Sequence, residues 1–174
     1  MNAIKLSFSS ATAEDAAALV HLHLGVAHDL TRRYGEGHWS RMATEKGVLR
    51  RIADSRVIVA HDENDRIAGT FELVTKKPWA IDRAYFTPVK RPLYLLNMAV
   101  DVPLQGRGIG RLLLAEAARV AHAWPAQSIC LDAYDAPAGA GGFYASCGYR
   151  EVGHKVYRGV PLVYYEWLVN PTQE

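Results

Sequence analysis

The chain has 174 residues, of which 49% are hydrophobic and 22% charged, a composition typical of globular proteins. This composition excludes a chain disordered throughout, a collagen-like repeat and a disulfide scaffold. The basic and acidic residues nearly balance, with a net charge of +2, which is too weak for a dedicated nucleic-acid binder. We therefore expect a single domain over residues 1–174 that does not bind nucleic acid.

The N-terminus and the cysteines bear on the cellular compartment. Residues Met1–Leu6 become polar too soon for a signal peptide, and no apolar run approaches the roughly 20 residues that span a bilayer. Cys130 and Cys147 match neither a zinc-binding nor a redox spacing. We expect two reduced thiols in a cytoplasmic protein without membrane association.

The first third of the chain predicts one strand and two helices. Apolar and polar residues alternate over Ile4–Phe8, which indicates a strand. Thr12 is the predicted N-cap of a helix that ends between Gly25 and Leu30. A polar and aromatic loop over residues 31–39 then leads to a second helix at Ser40–Ala53.

The middle of the chain predicts a hairpin, a long loop and an apolar strand. Strands at Val57–Ala60 and Ile67–Val74 flank the turn cluster Asp62–Asp65. Residues Lys76–Arg91 carry two prolines and several aromatic side chains, and loops of this length are often functional. The next predicted strand is Leu93–Val102.

The last third predicts two helices and three strands. Residues Gly108–Ala123 carry apolar side chains at helical spacing. A strand at Ser128–Ala133 precedes a short helix at Phe143–Cys147, and Glu151–Tyr157 and Leu162–Val169 form a closing pair of strands. Because no repeat or linker interrupts this order, the sequence predicts one α/β domain.

The strongest local motif is the Gln-Gly-Arg-Gly-Ile-Gly-Arg turn over Gln105–Arg111. Its glycines let the backbone approach a ligand closely, and the following helix start offers unpaired N–H groups and a partial positive charge. Arg107 and Arg111 would add charge-assisted contacts to phosphate. The motif matches neither the GxGxxG turn of dinucleotide-binding folds nor a Walker A loop. It predicts a phosphate-bearing ligand, and the alternative is a plain turn with solvated arginines.

Two motifs resemble those of the GNAT superfamily of acyl-CoA-dependent N-acyltransferases. Gln105, Gly108 and Gly110 match the family pattern Gln/Arg-x-x-Gly-x-Gly/Ala, and residues 142–149 resemble its Phe-Tyr-x-x-x-Gly-Phe/Tyr element. The resemblance spans about Leu93–Leu168, under half of the chain. It implies a single-domain α/β (α+β) fold with a central mixed, mostly antiparallel sheet, splayed strands and flanking helices. It also implies acetyl-CoA as the acyl donor.

The resemblance further implies how acetyl-CoA binds. Backbone groups of Ala99 and Val100 would pair with the pantetheine arm like an added strand. The residues of the turn would hold the pyrophosphate, namely Gln105, Gly106, Arg107, Gly108, Ile109, Gly110 and Arg111.

Tyr144 lines up with the tyrosine of the family that approaches the coenzyme A sulfur, which implies a general acid for the departing thiolate. An ordinary phenol has a pKa of about 10 and an ordinary thiol one of about 8.5, so hydrogen bonding to the developing charge would be the larger share of the effect. The alternative is a core tyrosine packed beside Phe143.

The general base is less clear from the sequence. Relatives often place a carboxylate on or near the splayed strand, whereas Pro92–Val100 contains none and has Asn97 in its middle. Glu72 on the preceding strand is the first candidate, and its alternative interpretation is a solvated strand residue. Asp132 and Asp135 are weaker candidates.

Two aromatic and charged segments, 28–39 and 76–91, are expected to select the acceptor. The candidate acceptor-binding residues are His38, Trp79, Asp82 and Tyr85, with Asp82 attracting a cationic amine. The alternative for the second segment is a loop that only packs its aromatic side chains on the sheet. The seven histidines form no HExxH or other ligand spacing, so no metal site is expected.

The sequence thus predicts an N-acetyltransferase that moves an acetyl group from acetyl-CoA to the amine of a small molecule or peptide by direct attack. A non-catalytic acyl-CoA-binding sensor is the alternative, since Pro137 departs from the family pattern and the strand lacks a carboxylate. Tyr144 argues against a sensor, because binding alone does not need it. A nucleotide-binding protein of another fold is a third interpretation. A homodimer could form by pairing of the closing strands.

Overall fold

The computed structural model describes residues 5–169 and divides the chain into two compact units of interleaved sequence. The first unit comprises the chain up to Leu73 together with Leu96–Glu116, and the second comprises Val74–Leu95 together with the chain from Ala117 onward. The single domain over residues 1–174 stays a prediction.

The strands form a mixed, mostly antiparallel sheet in the order β1-β2-β3-β4-β5-β7-β6. The strands are β1 Ser7–Ser10, β2 Arg56–His61, β3 Ile67–Val74, β4 Pro92–Val100, β5 Ser128–Tyr134, β6 Arg150–Tyr157 and β7 Val160–Leu168. The flanking helices are α1 Ala16–Tyr34, α2 Glu45–Asp54, α3 Ile109–Ala123 and α4 Gly141–Ser146. The β4–β5 pair is parallel and its register covers Pro92–Tyr94 against Ser128–Cys130. The predicted fold class is confirmed.

In the first unit, α1 and α2 pack their apolar faces against β2. The buried residues of this cluster are Ala16, Leu19, Val48, Val57 and Val59. Strand β3 forms an antiparallel hairpin with β2, as predicted. Gly69 of β3 allows a close approach, because a Cβ at this position would lie 2.9 Å from Leu113 Cδ1 and 3.0 Å from the Ala99 carbonyl oxygen. A side chain there would collide with both α3 and β4.

In the second unit, the 74–91 segment and the β6–β7 hairpin share an apolar core. Its buried residues are Ile81, Phe86, Tyr94, Cys130, Leu162 and Tyr164. Arg158 and Gly159 both have positive φ, at +49° and +79°, as a two-residue hairpin turn requires. Glu166, only 1% exposed, is paired with Arg150 and accepts hydrogen bonds from the backbone N–H and hydroxyl of Thr87. This buried carboxylate anchors the long segment to β7.

The predicted end of the first helix is wrong. Helix α1 continues through Gly25 to Tyr34 and ends at Gly35, whose φ of +79° favours glycine and whose N–H donates to the Thr31 carbonyl. Ion pairs from Asp29 to Arg32 and Arg33 stabilise the last turns, where basic side chains also favour the helix dipole. A glycine inside a helix costs only about 1 kcal/mol, so Gly25 does not end it.

Two other boundaries differ from the prediction by more than two residues. Helix α2 begins at Glu45 rather than Ser40, because the Thr44 hydroxyl caps it by accepting from the Gly47 N–H at 3.2 Å. Residues His38–Ser40 form a separate 3₁₀ turn. The first strand is Ser7–Ser10, and Ile4 of the predicted strand lies outside the described residues. Among residues 5–169, no helix is long and apolar enough to cross a membrane.

Candidate functional site

The turn before α3 has a backbone that only glycine adopts easily. Gly106 and Gly108 have φ values of +74° and +85°. A Cβ built at either position would meet nothing within 4 Å. The two glycines are therefore required for their backbone conformation and not for lack of space.

The same turn presents donors and positive charge. Among the described residues, the structure gives no backbone acceptor for the N–H groups of residues 106–110. Helix α3 begins at Ile109 and has no acidic side chain in its first turn. Arg107 and Arg111 are both exposed on the same short segment. Free helix N–H groups, a positive helix end and two guanidinium groups suit a diphosphate, so these residues fit the phosphate portion of an acyl-CoA.

The end of β4 is tied to its surroundings by two hydrogen bonds. Gln105 Nε2 donates to the Val100 carbonyl at 3.1 Å, and the Asp101 N–H donates to the Ala68 carbonyl of β3 at 2.9 Å. Ala99 is buried and Val100 half-buried. The carbonyl of Val100 keeps a second lone pair for another donor. Both predicted pantetheine contacts thus belong to a backbone of fixed position.

Glu72 lies inside the first unit and is only 5% exposed, so its interpretation as a solvated strand residue is wrong. Its Oε2 accepts from Asn97 Nδ2 at 2.7 Å, and its Oε1 lies 2.7 Å from Ser55 Oγ. Arg51 Nη1 lies 3.8 Å from Oε2. The carboxylate is therefore buried among partners from α2, β4 and the residue that follows α2.

His23 of α1 lines the same small pocket as Glu72 and Arg51. Burial, together with the smaller effect of the nearby positive charge of Arg51, lowers the pKa of its imidazole to about 4. The ring is thus neutral at pH 7. Sequence reasoning missed His23 and Arg51 as neighbours of Glu72, since they come from separate helices and share no motif.

Tyr144 lies in α4 and is 8% exposed. The centroid of its ring lies 5.3 Å from that of Phe143, 5.9 Å from that of Tyr149 and 6.1 Å from that of Tyr165. Burial raises the pKa of its phenol, and the negative charge of Asp132 raises it further. The hydroxyl therefore stays protonated at neutral pH. The packing beside Phe143 is that of a core tyrosine, and a catalytic role for Tyr144 stays a prediction.

The two weaker base candidates differ in environment. Asp132 is on β5 opposite Tyr164 of β7, and burial raises the pKa of its carboxyl. Asp135 is half-exposed, and its Oδ2 lies 2.9 Å from His154 Nδ1. Burial thus makes Asp132 a stronger proton acceptor than an ordinary aspartate.

Three of the predicted acceptor-binding residues belong to the second unit. Trp79 is 83% exposed. Asp82 is ion-paired with Lys155, and hydrogen bonding from Lys155 lowers the pKa of its carboxyl. Tyr85 packs over Gly153, where a Cβ would lie 2.2 Å from the ring. The fourth, His38, is in the 3₁₀ turn of the first unit. The segment is anchored by its aromatic side chains, while Trp79 stays accessible.

Comparison with known proteins connects these features to one family. Residues 53–151 match the family described as "Acetyltransferase (GNAT) domain". No curated protein matches the chain significantly.

Solved structures show the same fold at low sequence identity. A GNAT-family acetyltransferase from Listeria monocytogenes has a TM-score of 0.74 and 18% identity, with 97% of this chain and 98% of that one covered. The Salmonella typhimurium protein yncA, solved with its cofactor acetyl-CoA, has a TM-score of 0.69 and 16% identity, with 98% and 97% covered. The ribosomal-protein-S18-alanine N-acetyltransferase from Escherichia coli has a TM-score of 0.70 and 16% identity, with 98% and 97% covered.

The family match covers more than half of the chain, including the glycine-rich turn and α4. The fold, the donor-rich turn and the buried tyrosine agree with it. The chain therefore belongs to the GNAT acetyltransferase family, as the sequence predicted, and is an acyl-CoA-dependent N-acetyltransferase that uses acetyl-CoA.

Proposed function

We propose that the protein transfers the acetyl group directly from acetyl-CoA to an acceptor amine, with Tyr144 protonating or hydrogen-bonding the departing thiolate and a buried carboxylate accepting the amine proton. Acetyl-CoA supplies the acetyl group as a thioester. A C–N bond forms to the amine while the C–S bond breaks, and one proton moves from nitrogen to the base. The observation that carries this proposal is that Tyr144 is buried and lies close enough to Asp132 for the charge of the carboxylate to raise the pKa of the phenol.

The phosphates of acetyl-CoA are assigned to the turn at residues 105–111. The left-handed glycines and the open N–H groups before α3 favour an anion at this position. Arg107 and Arg111 add two exposed positive charges. The backbone of Ala99 and Val100 is assigned to the pantetheine arm, whose amides can pair with a strand end like an added strand.

Tyr144 is assigned the role of donor to the sulfur. Because its pKa is raised, the phenol is a weaker acid than an ordinary tyrosine but remains a hydrogen-bond donor over the whole neutral range. A donor already in place where negative charge develops lowers the barrier without full proton transfer. The raised pKa therefore favours hydrogen bonding to the thiolate as the main contribution.

The base is assigned to Asp132, with Glu72 as the alternative. Burial raises the pKa of the Asp132 carboxyl, and a base with a pKa closer to the working pH transfers protons more efficiently. Glu72 is buried more deeply than Asp132, but Asn97 and Ser55 already donate towards its two oxygens. Fewer lone pairs of Glu72 are therefore open to an amine.

The acceptor is assigned to the surface around Trp79, Asp82 and Tyr85 of the second unit. His38, in the first unit, stays a candidate acceptor contact by itself. Asp82 offers a negative charge to a cationic amine, which would replace Lys155 as its partner. The exposed indole of Trp79 suits a cation or an apolar body next to that amine. Amines that carry a positive charge near the reacting nitrogen are the acceptor class that fits these groups.

The test incubates the protein with acetyl-CoA and a panel of polyamines, aminoglycosides, amino acids and peptides with free N-termini. Release of the coenzyme A thiol and the mass of one added acetyl group on the acceptor are measured together. We expect turnover with at least one amine, and in Asp132→Asn a loss of kcat of roughly 10²-fold or more. Full activity of Asp132→Asn together with an inactive Glu72→Gln would move the base to Glu72.

A further inference from the structure

Asn97 adopts a backbone conformation that is unusual inside a strand. Its φ is +49°, in the left-handed region, although it lies in the middle of β4. Asparagine tolerates this region better than most residues, but the position remains uncommon for any residue with a Cβ. Ala99 and Val100 follow directly along the chain. A change of conformation at Asn97 would therefore shift the backbone proposed to bind acetyl-CoA.

The side chain of Asn97 is held by a buried carboxylate. Its Nδ2 donates to Glu72 Oε2 at 2.7 Å. Ser55 Oγ lies 2.7 Å from Glu72 Oε1 and also 2.7 Å from the Arg51 carbonyl, so its single proton is shared between two acceptors. The Asn97 amide, by contrast, donates to Glu72 without dividing that proton between two acceptors. The buried negative charge is offset by Arg51, 3.8 Å away.

The backbone after Asn97 has little freedom to move. The Ala99 carbonyl lies close to Gly69 of β3: a Cβ added at Gly69 would be 3.0 Å from the Ala99 carbonyl oxygen. Two residues later, the Asp101 N–H donates to the Ala68 carbonyl at 2.9 Å. A relaxed strand at residue 97 would rotate the next peptide groups away from these fixed neighbours.

We propose that Glu72 is a positioning residue for acetyl-CoA binding. Through the amide of Asn97 it fixes the left-handed turn in β4, and so sets the orientation of the Ala99 and Val100 backbone. The inference rests on the proposed assignment of that backbone to the pantetheine arm. Glu72 then acts as a hydrogen-bond acceptor and does not need to exchange a proton during the reaction.

The experiment compares substitutions that separate these roles of Glu72 and Asn97. Glu72→Gln keeps a carbonyl oxygen that can accept from Asn97 but cannot act as a base. Glu72→Ala removes the acceptor. Asn97→Gly keeps the freedom to adopt positive φ, whereas Asn97→Ala loses the amide and strains the backbone. Thr70→Val is the matched control, because Thr70 is also buried on β3 but donates to the Ile58 carbonyl, at 2.8 Å, and not to Asn97.

Each variant is tested by calorimetry with acetyl-CoA and by steady-state kinetics over a range of pH. We expect Glu72→Ala and Asn97→Ala to weaken acetyl-CoA binding about tenfold or more, with a smaller change in kcat. Glu72→Gln should bind nearly normally and keep the pH profile, and Asn97→Gly should bind better than Asn97→Ala. Thr70→Val should bind acetyl-CoA like the wild type.

Three results would overturn the inference. Glu72→Gln with normal acetyl-CoA binding, a collapsed kcat and no acidic limb in its pH profile would make Glu72 the base. Equal loss of binding in Thr70→Val would reduce the effect to general stability. Unchanged acetyl-CoA binding in Glu72→Ala and Asn97→Ala would show that the hydrogen bond between Glu72 and Asn97 does not position the backbone for acetyl-CoA. These outcomes require a wild type that binds acetyl-CoA, and a wild type that fails to bind would instead reject the proposed function.

Discussion

The glycine-rich turn at residues 105–111 and the helix that carries Tyr144 place their functional groups in opposite environments. The turn is exposed and offers backbone N–H groups and two arginines, with open space around its left-handed glycines. Tyr144 is buried among three other aromatic rings, and its pKa is shifted by that burial. The first arrangement suits binding of a large anion, whereas the second suits a reaction step from which water is excluded.

This difference separates the two groups experimentally. Substitutions in the turn should alter acetyl-CoA affinity and its dependence on salt, because exposed charges are screened. Substitutions at the buried groups should alter turnover and its dependence on pH.

Tyr144→Phe is expected to lower kcat by roughly 10²-fold or more while leaving the Kd for acetyl-CoA within about twofold of the wild type. The ring and its packing are kept, and only the hydroxyl is lost. Steady-state kinetics and calorimetry on the same preparation check both values. Phe143→Leu is the control, since it alters the packing of the same helix without removing a hydroxyl. Weaker acetyl-CoA binding with an unchanged kcat would show that Tyr144 contributes to binding, and would contradict the separation between a binding turn and a catalytic buried group.

Lowering the pH should destabilise the protein through His23. The pKa of its imidazole is about 4 in the folded protein and about 6.5 when unfolded, so the unfolded state takes up the proton first. The free energy of unfolding therefore falls as the pH drops from about 6.5 to about 4, by up to roughly 3 kcal/mol. Denaturant unfolding at several pH values measures this slope.

His23→Gln should flatten that pH dependence, because glutamine does not titrate. His21→Gln, the same substitution at an exposed position of the same helix, is the control. An unaltered slope in His23→Gln would show that His23 is not buried as a neutral group.

Replacing both Arg107 and Arg111 by alanine should weaken acetyl-CoA binding by about 10- to 100-fold. Since both side chains are exposed, the loss should shrink at high ionic strength, where the wild type is also weakened. Calorimetry at low and high salt gives both numbers, and kcat at saturating acetyl-CoA should change little. The double substitution Arg50→Ala and Arg66→Ala, on other exposed arginines, controls for net charge. An affinity that the two control substitutions lower equally would contradict a specific phosphate site.

Gly108→Ala should destabilise the turn by about 1–2 kcal/mol, because alanine resists a φ of +85° even in open space. Gly25→Ala is the matched control, since it also has open space but lies inside α1, where alanine should stabilise by up to about 1 kcal/mol. Thermal unfolding of the two variants should therefore shift in opposite directions. A shift in the same direction would show that the turn is not held in its left-handed form.

The sequence predicted the turn well because its signal is local. The spacing of Gln105, Gly108 and Gly110 contains both the backbone geometry and the family resemblance. Most strands and helices also follow from short apolar patterns. The end of α1 could not be predicted in this way, because Gly25 and Gly35 are both glycines and either could end the helix. The ion pairs of Asp29 with Arg32 and Arg33 favour a helix that continues to Gly35.

The buried polar groups could not be predicted from the sequence. Glu72 meets Asn97, which is 25 positions away, and residues from α2, so its burial depends on tertiary packing alone. The proton affinity of Asp132 likewise reflects burial on β5 and not its neighbours in sequence. Asp82 looked free to attract an amine until the structure paired it with Lys155 of β6.

The central claim is that this chain binds acetyl-CoA through the turn at residues 105–111, and calorimetric titration tests it most directly. The purified protein is titrated with acetyl-CoA, with coenzyme A, ATP and NADH as competing ligands. We expect saturable binding of acetyl-CoA that Arg107→Ala and Arg111→Ala together weaken and that ATP and NADH do not reproduce. Absence of acetyl-CoA binding, or equal binding of ATP, would contradict the claim.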